Sequence, residues 1–156
     1  MAEPFRAFSA VFPIITRSAG GDTQILLHRR QNTGYQDGKL DIAASGHVDE
    51  GETAVYAVVR ECKEELGIDV KPDDLVFAHL QHRISTSVSN MSGRTYYDIY
   101  FAVNKFDGTP SIMEPVKCSE LIWCDIDDLP DDIIECRKVV IREFRKMNCY
   151  SERVET

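Results

Sequence analysis

The sequence predicts an α/β (α+β) sandwich built around a mixed β-sheet. Short runs rich in β-branched and aromatic residues alternate with two longer segments of helical periodicity. Two of those runs, Phe8–Ile15 and Gln24–His28, are joined by the turn chemistry of Ser18-Ala19-Gly20-Gly21-Asp22, which makes them an adjacent strand pair. The chain has 156 residues and no internal repeat, which suits a single domain over residues 1–156.

In chain order, Gln31–Gly38 is polar with two glycines and reads as a loop, and Lys39–Ala44 reads as a short strand. Thr53–Leu66 reads as a helix, closed by Gly67, a residue able to take positive φ just past the end. Leu75–Ile84 and Thr95–Phe106 read as strands, and Ser85–Arg94 between them, with four serines and Gly93, as a mobile loop. Leu121–Asp125 is another short strand, and Pro130–Met147 a second helix with Ile133, Ile134, Val140, Ile141 and Phe144 as its apolar positions.

Composition narrows the function. Apolar residues are 43% of the chain and charged residues 28%, ordinary for a globular protein. A formal charge of -8 disfavours a nucleic-acid polymer as partner, and requires any phosphorylated small molecule to be met through cations. No apolar run approaches a membrane span, and Met1-Ala2-Glu3-Pro4 lacks the basic and apolar regions of a leader, so a cytoplasmic protein without membrane contact is expected. The five cysteines include no Cys-x-x-Cys, and reduced, partly buried thiols are the expected state.

The chemistry is concentrated on the first helix. At about 100° per residue, Val55, Val58, Val59, Cys62 and Leu66 form a core-facing stripe, while Glu61, Glu64 and Glu65 gather on a separate face. Ala54 and Ala57 lie on that acidic side, where small side chains leave room for an approaching group. Like charges at this spacing cost roughly 0.2–0.5 kcal/mol per pair, and Arg60 can offset part of it by pairing with Glu64. A hard divalent cation removes the repulsion, and oxygen ligands suit Mg2+ or Mn2+. Read alone, the stripe is more simply a solvated acidic face.

The surrounding stretch changes that balance. Gly46-His47-Val48-Asp49-Glu50-Gly51-Glu52, seven further residues, then Arg60-Glu61-Cys62-Lys63-Glu64-Glu65-Leu66-Gly67-Ile68 resembles the Nudix box. Every glycine, glutamate and arginine of that pattern is in place, and Cys62 stands where a larger aliphatic residue is usual. The resemblance implies the Nudix fold, an α/β/α sandwich around a mixed sheet with the box as loop-helix-loop. It implies Mg2+-dependent hydrolysis of a nucleoside diphosphate derivative, with Mn2+ able to substitute.

Carried over by position, the resemblance makes Glu61, Glu64 and Glu65 metal ligands and Glu52 a supporting or water-mediated one. Arg60 orients a glutamate, Glu61 acts as general base, Gly46 and Gly51 bend the loop toward the helix, and Gly67 ends it. The carbonyl before the first box glycine, a metal ligand in MutT-like members, belongs here to Ser45, and Ala44-Ser45-Gly46 replaces the usual Pro-Gly-Gly. Arg30 falls where such members hold substrate, and Glu114 is the candidate for the extra downstream carboxylate, with Glu120 its competitor. Tyr35, Arg83 and Tyr97 are pocket candidates whose default is packing. Trp123 is expected in the core, Asp127, Asp128, Asp131 and Asp132 as charges before the last helix, and His47 is given no role.

Substrate markers narrow the reading mainly by absence. The proline about 16 residues beyond the box of many ADP-ribose pyrophosphatases is missing at Arg83-Ile84-Ser85-Thr86, as are the NADH-type and coenzyme A signatures. A compact MutT-like enzyme acting on a nucleoside triphosphate ranks first, and ADP-ribose or another nucleotide sugar second. A non-catalytic ligand-sensing module is the reading from another class, disfavoured because such proteins lose box glutamates or the arginine. Oligomeric state stays open, a homodimer included.

Overall fold

The structure, a computed structural model, describes residues 2–86 and 93–155. Its strands are β1 (Phe8–Ala19), β2 (Asp22–Arg30), β3 (Leu40–Ile42), β4 (Gly46–His47), β5 (Val76–Ser85), β6 (Arg94–Val103), β7 (Cys118–Asp125) and β8 (Tyr150–Glu155). The helices are α1 (Ala54–Leu66) and α2 (Glu135–Arg145), with a 3-10 turn at Pro72–Asp74.

The strands form one mixed sheet in the order β3-β2-β1-β6-β5-β8, with β4 added to β1 and β7 to β2. Strand β1 is the branch point. It pairs parallel with β6 over Phe8–Ile15, but with β2 only from Thr16 to Ala19. Ahead of that, Ala10 and Val11 pair instead with His47 and Gly46 of β4. The sheet therefore divides between β1 and β2, and a cleft opens at the divide.

Alternation along β1 builds two cores. Ala10, Phe12 and Ile14 pack with Val140 and Ile141 of α2. Val11 and Ile15 pack on the opposite face with Ala57, Val58, Cys62 and Leu66 of α1. The result is the expected α/β/α sandwich around a mixed sheet. Among the described residues no helix is long and apolar enough to cross a membrane.

Several elements differ from expectation. Helix α2 begins at Glu135 rather than Pro130, because Leu40 N donates to Asp132 O and Ile134 N to Leu40 O, which draws the preceding residues against β3. Strand β8 was not expected at all. Val59 is only half-buried and Ala57 is fully buried, so the core-facing stripe of α1 is rotated toward Glu61, and Ala57 leaves no open space. Trp123 is half-buried, with the Arg17 guanidinium 4.2 Å above its ring. Most of the serine-rich 85–94 loop lies outside the described residues; its ends, Ser85 and Arg94, pair across β5 and β6.

Candidate active site

Helix α1 is fixed at both ends. Thr53 caps it, its hydroxyl accepting from Tyr56 N at 3.3 Å, and Gly67 closes it at φ 70°. The helix projects its acidic face into the cleft at the sheet divide, a cavity of about 540 Å3. Glu61, Glu64, Glu65, Glu114, Ser45 and Arg30 all line it, and Glu52 does not.

Arg60 organises the acidic face. Its Nε and Nη2 donate to Glu52 Oε2 and Oε1 at 2.8 and 2.9 Å. Its Nη1 donates to Glu61 Oε1 at 2.8 Å and to Glu64 Oε2 at 3.3 Å, and Nη2 also reaches the His47 carbonyl at 3.0 Å. One planar fork thus ties the loop before the helix to two carboxylates on it. Glu52 is consumed by this pairing: Oε1 also accepts from Asp49 N, and the bonds from Arg60 hold its carboxyl down at about 2. In this structure Glu52 anchors Arg60 from outside the cleft lining. Arg60→Lys keeps the charge but loses the fork. The expected cost is about 1–2 kcal/mol of stability and about a tenfold fall in turnover, read by thermal denaturation and steady-state kinetics.

Glu61 is 8% exposed, and its carboxylate lies over Gly46, where any side chain would overlap it. Burial pushes its carboxyl up, against the pull of Arg60. Glu65 is pushed further, to about 8, by burial and then by the charges of Glu61 and Glu114. Glu114 is brought in by its loop, in which Ser111 N donates to Leu66 O and Met113 N to Glu65 O at the end of α1. Its competitor Glu120 points elsewhere, 2.7 Å from Arg29. Among the described residues, no three acidic, histidine or cysteine side chains stand close enough to form a preformed metal cage. The donor set is nevertheless all oxygen, and a cation there would relieve the penalty on Glu65, which is the chemistry of a hard divalent ion.

Ser45 follows Ala44, a buried alanine at φ 63°, a conformation that costs a non-glycine residue about 1 kcal/mol. Arg30 is tethered: Nε donates to Tyr35 O at 2.7 Å, Nη1 to Asp41 Oδ2 at 2.9 Å and Nη2 to Thr33 Oγ1 at 2.9 Å. Tyr35 and Arg83 line the cleft, whereas Tyr97 does not and stacks on His82 at 4.6 Å. His47, given no role from sequence, lines the cleft beside Tyr96, with Nε2 3.2 Å from the tyrosine hydroxyl.

Of the charged floor of the cleft, sequence reasoning named Arg83 as a pocket candidate and missed Asp41, Asp98 and Arg137. Asp41 and Asp98 are fully buried, and Arg83 and Arg137 nearly so. Arg83 Nε donates to Asp98 Oδ2 at 2.6 Å, Arg137 Nε to Asp41 Oδ1 at 3.0 Å, and Arg137 Nη1 to the Tyr100 hydroxyl at 2.9 Å. Arg137 and Arg30 hold the Asp41 carboxyl below its usual range despite its burial. The available signal was parity: Asp41 stands between the core residues Leu40 and Ile42, and Asp98 alternates with Tyr96 and Tyr100.

Comparison with known proteins gives the same answer as the fold. The NUDIX domain matches residues 7–144. The MutT NUDIX hydrolase from Burkholderia pseudomallei superposes with a TM-score of 0.74 at 25% identity, over 88% of this chain and 98% of that one. The NAD-capped RNA hydrolase NudC of Escherichia coli O157:H7 is 32% identical over 80% of this chain and 43% of its own length. Dihydroneopterin triphosphate diphosphatase of Escherichia coli K12 is 34% identical over 42% of this chain and 48% of its own. The chain thus spans about half the length of the curated relatives it matches. With the box intact on α1 and the family match running through nearly the whole sandwich, the chain belongs to the Nudix family.

Proposed function

We propose that the protein is a MutT-like, Mg2+-dependent pyrophosphohydrolase that cleaves a diphosphate linkage in a nucleoside triphosphate. The observation that carries the reading is the meeting, in one cleft, of the Glu61, Glu64, Glu65 and Glu114 carboxylates with a polar, partly aromatic deep end. Glu61, Glu64 and Glu65, with the Ser45 carbonyl, hold the cation, and Mn2+ can replace Mg2+. Bound there, the ion neutralises diphosphate charge and makes water a better nucleophile.

The chain's own residues do the rest. Arg60 fixes Glu61 through Oε1, which leaves Glu61 Oε2 to take the proton of the attacking water. Burial makes that carboxylate more basic than an exposed one. Arg60 also steadies Glu64. Arg30, held by Asp41 and the Tyr35 carbonyl, keeps a fixed positive charge at the cleft for the substrate's phosphates, and Glu114 adds the downstream carboxylate. The five free thiols suit a reducing compartment such as the cytoplasm.

The test is product analysis on a panel of nucleoside triphosphates, ADP-ribose and nucleotide sugars, with and without Mg2+. The expected result is pyrophosphate plus a nucleoside monophosphate, with no turnover in chelator. Cleavage of ADP-ribose in preference to every triphosphate moves the substrate to the second class. Tight binding of a nucleotide without any cleavage overturns the enzyme reading in favour of a sensing module.

A further inference from the structure

The floor of the cleft does more than close it. Four buried charges that satisfy one another stabilise a fold no better than well-packed apolar side chains of similar size. Their presence in the cleft calls for another reason, and two atoms supply it. Arg137 spends Nε on Asp41 and Nη1 on Asp98 and Tyr100, while its Nη2, with two N–H groups, makes no hydrogen bond among the described residues. His28, opposite Asp41 in the β2–β3 register, is nine-tenths buried, and its Nε2 is buried with no hydrogen-bond partner. Both side chains line the cleft.

His28 Nε2, a buried polar atom without a partner, costs stability unless a ligand completes it. Desolvation lowers the pKa of His28, which favours the neutral ring, so Nε2 can carry a single N–H. Guanidinium N–H groups and one imidazole N–H, on two side chains that both neighbour Asp41 and line the same cleft, match a ligand edge of acceptors, such as a carbonyl oxygen next to a ring nitrogen.

We propose that the deep end of the cleft is a base-reading subsite in which His28 Nε2 and Arg137 Nη2 hydrogen-bond the keto edge of a nucleobase. The subsite prefers guanine and uracil or thymine, which offer O6 with N7 or O4, over adenine, whose exocyclic amine would face donors. It rests on the reading of the protein as acting on nucleoside triphosphates, and it names the substrates that reading leaves open.

Binding of monophosphates tests the subsite apart from hydrolysis. Calorimetric titration of the full chain with GMP, UMP, AMP and 2-aminopurine riboside monophosphate, which is guanine without O6, is expected to give GMP an advantage of about 100-fold over the last two. Equal affinity for all four overturns the subsite and leaves the hydrolase reading intact. Selective binding by a protein that cleaves no triphosphate overturns the hydrolase reading and leaves the subsite.

His28→Leu is expected to cut the GMP advantage to about threefold by removing one of the two contacts and unsettling the other, with an unchanged or raised melting temperature. A histidine kept for packing alone would instead lower the melting temperature and leave the GMP preference standing, which refutes its reading role. If that variant fails to fold, the comparison of GMP with its O6-less analogue on the unmodified protein decides.

Discussion

Glu65→Gln is expected to abolish cation-dependent turnover, by about 1,000-fold or ~4 kcal/mol of transition-state stabilisation, while making the cation-free protein more stable. The second half follows from linkage. The Glu65 carboxyl stands at about 8 in the folded protein against an ordinary 4.5, so the folded state binds its proton more tightly than the unfolded chain does. Stability therefore falls as pH rises from 4.5 through about 8, and the cost of ionising Glu65 is fully felt only above that window. Glutamine keeps the shape and never ionises. Discounted for the solvent that reaches this side chain, the gain is about 1–2 kcal/mol at pH 9 and nothing at pH 4. Thermal denaturation in chelator at those two pH values, beside product release with Mg2+, reads both effects. Equal melting temperatures at pH 9 would remove the electrostatic strain from the account, and retained turnover would remove the metal assignment.

The trade of stability for chemistry explains which parts of the molecule could be read from the sequence. Strand β1 was legible because both of its faces are apolar cores and its flanking turn is glycine-rich. Strand β8 was not, because Tyr150-Ser151-Glu152-Arg153-Val154-Glu155 carries little apolar pattern. What seats it is polar: the Ser151 hydroxyl meets His79 Nε2 at 2.8 Å, and Arg83 Nη1 donates to Glu155 Oε2 at 3.4 Å. Partners so far apart in sequence leave no local signal. The same holds for residues 130–134, where a proline suggests a helix start but a backbone exchange with Leu40 prevents it.

The candidate site divides along the same line. Apart from Glu114, its acidic half lies on one helix and the loop before it, so spacing alone gathers Glu61, Glu64 and Glu65 and puts Arg60 within reach of Glu64. Its deep half is assembled from β2, β3, β5, β6 and α2, and each member is a single charged or polar residue in an otherwise ordinary element. Even within the box, spacing set positions but not tasks. Glu52 anchors Arg60 instead of facing the cleft, and the helix rolls far enough to bury Glu61 and Ala57 together.

That roll separates the two glycines that frame the loop, and substitution should split them. At Gly46 the constraint is space: its backbone is not left-handed, but an added Cβ would overlap the Glu61 carboxylate. The obstruction is the far end of a flexible side chain, so the fold yields cheaply. Gly46→Ala is expected to lose only about 1 kcal/mol of stability while Glu61 is driven from Arg60 and turnover falls about 100-fold. At Gly51 the constraint is the backbone, φ 77°, with nothing within 4 Å of an added Cβ. Gly51→Ala is expected to cost a similar 1 kcal/mol or so through strain, yet to leave turnover within about threefold. Melting temperatures for the pair should then be alike and kinetic constants far apart. If Gly46→Ala turned over substrate as fast as Gly51→Ala, Glu61 would not need the place it holds over β4, and its part as the base would pass to another carboxylate of the cleft.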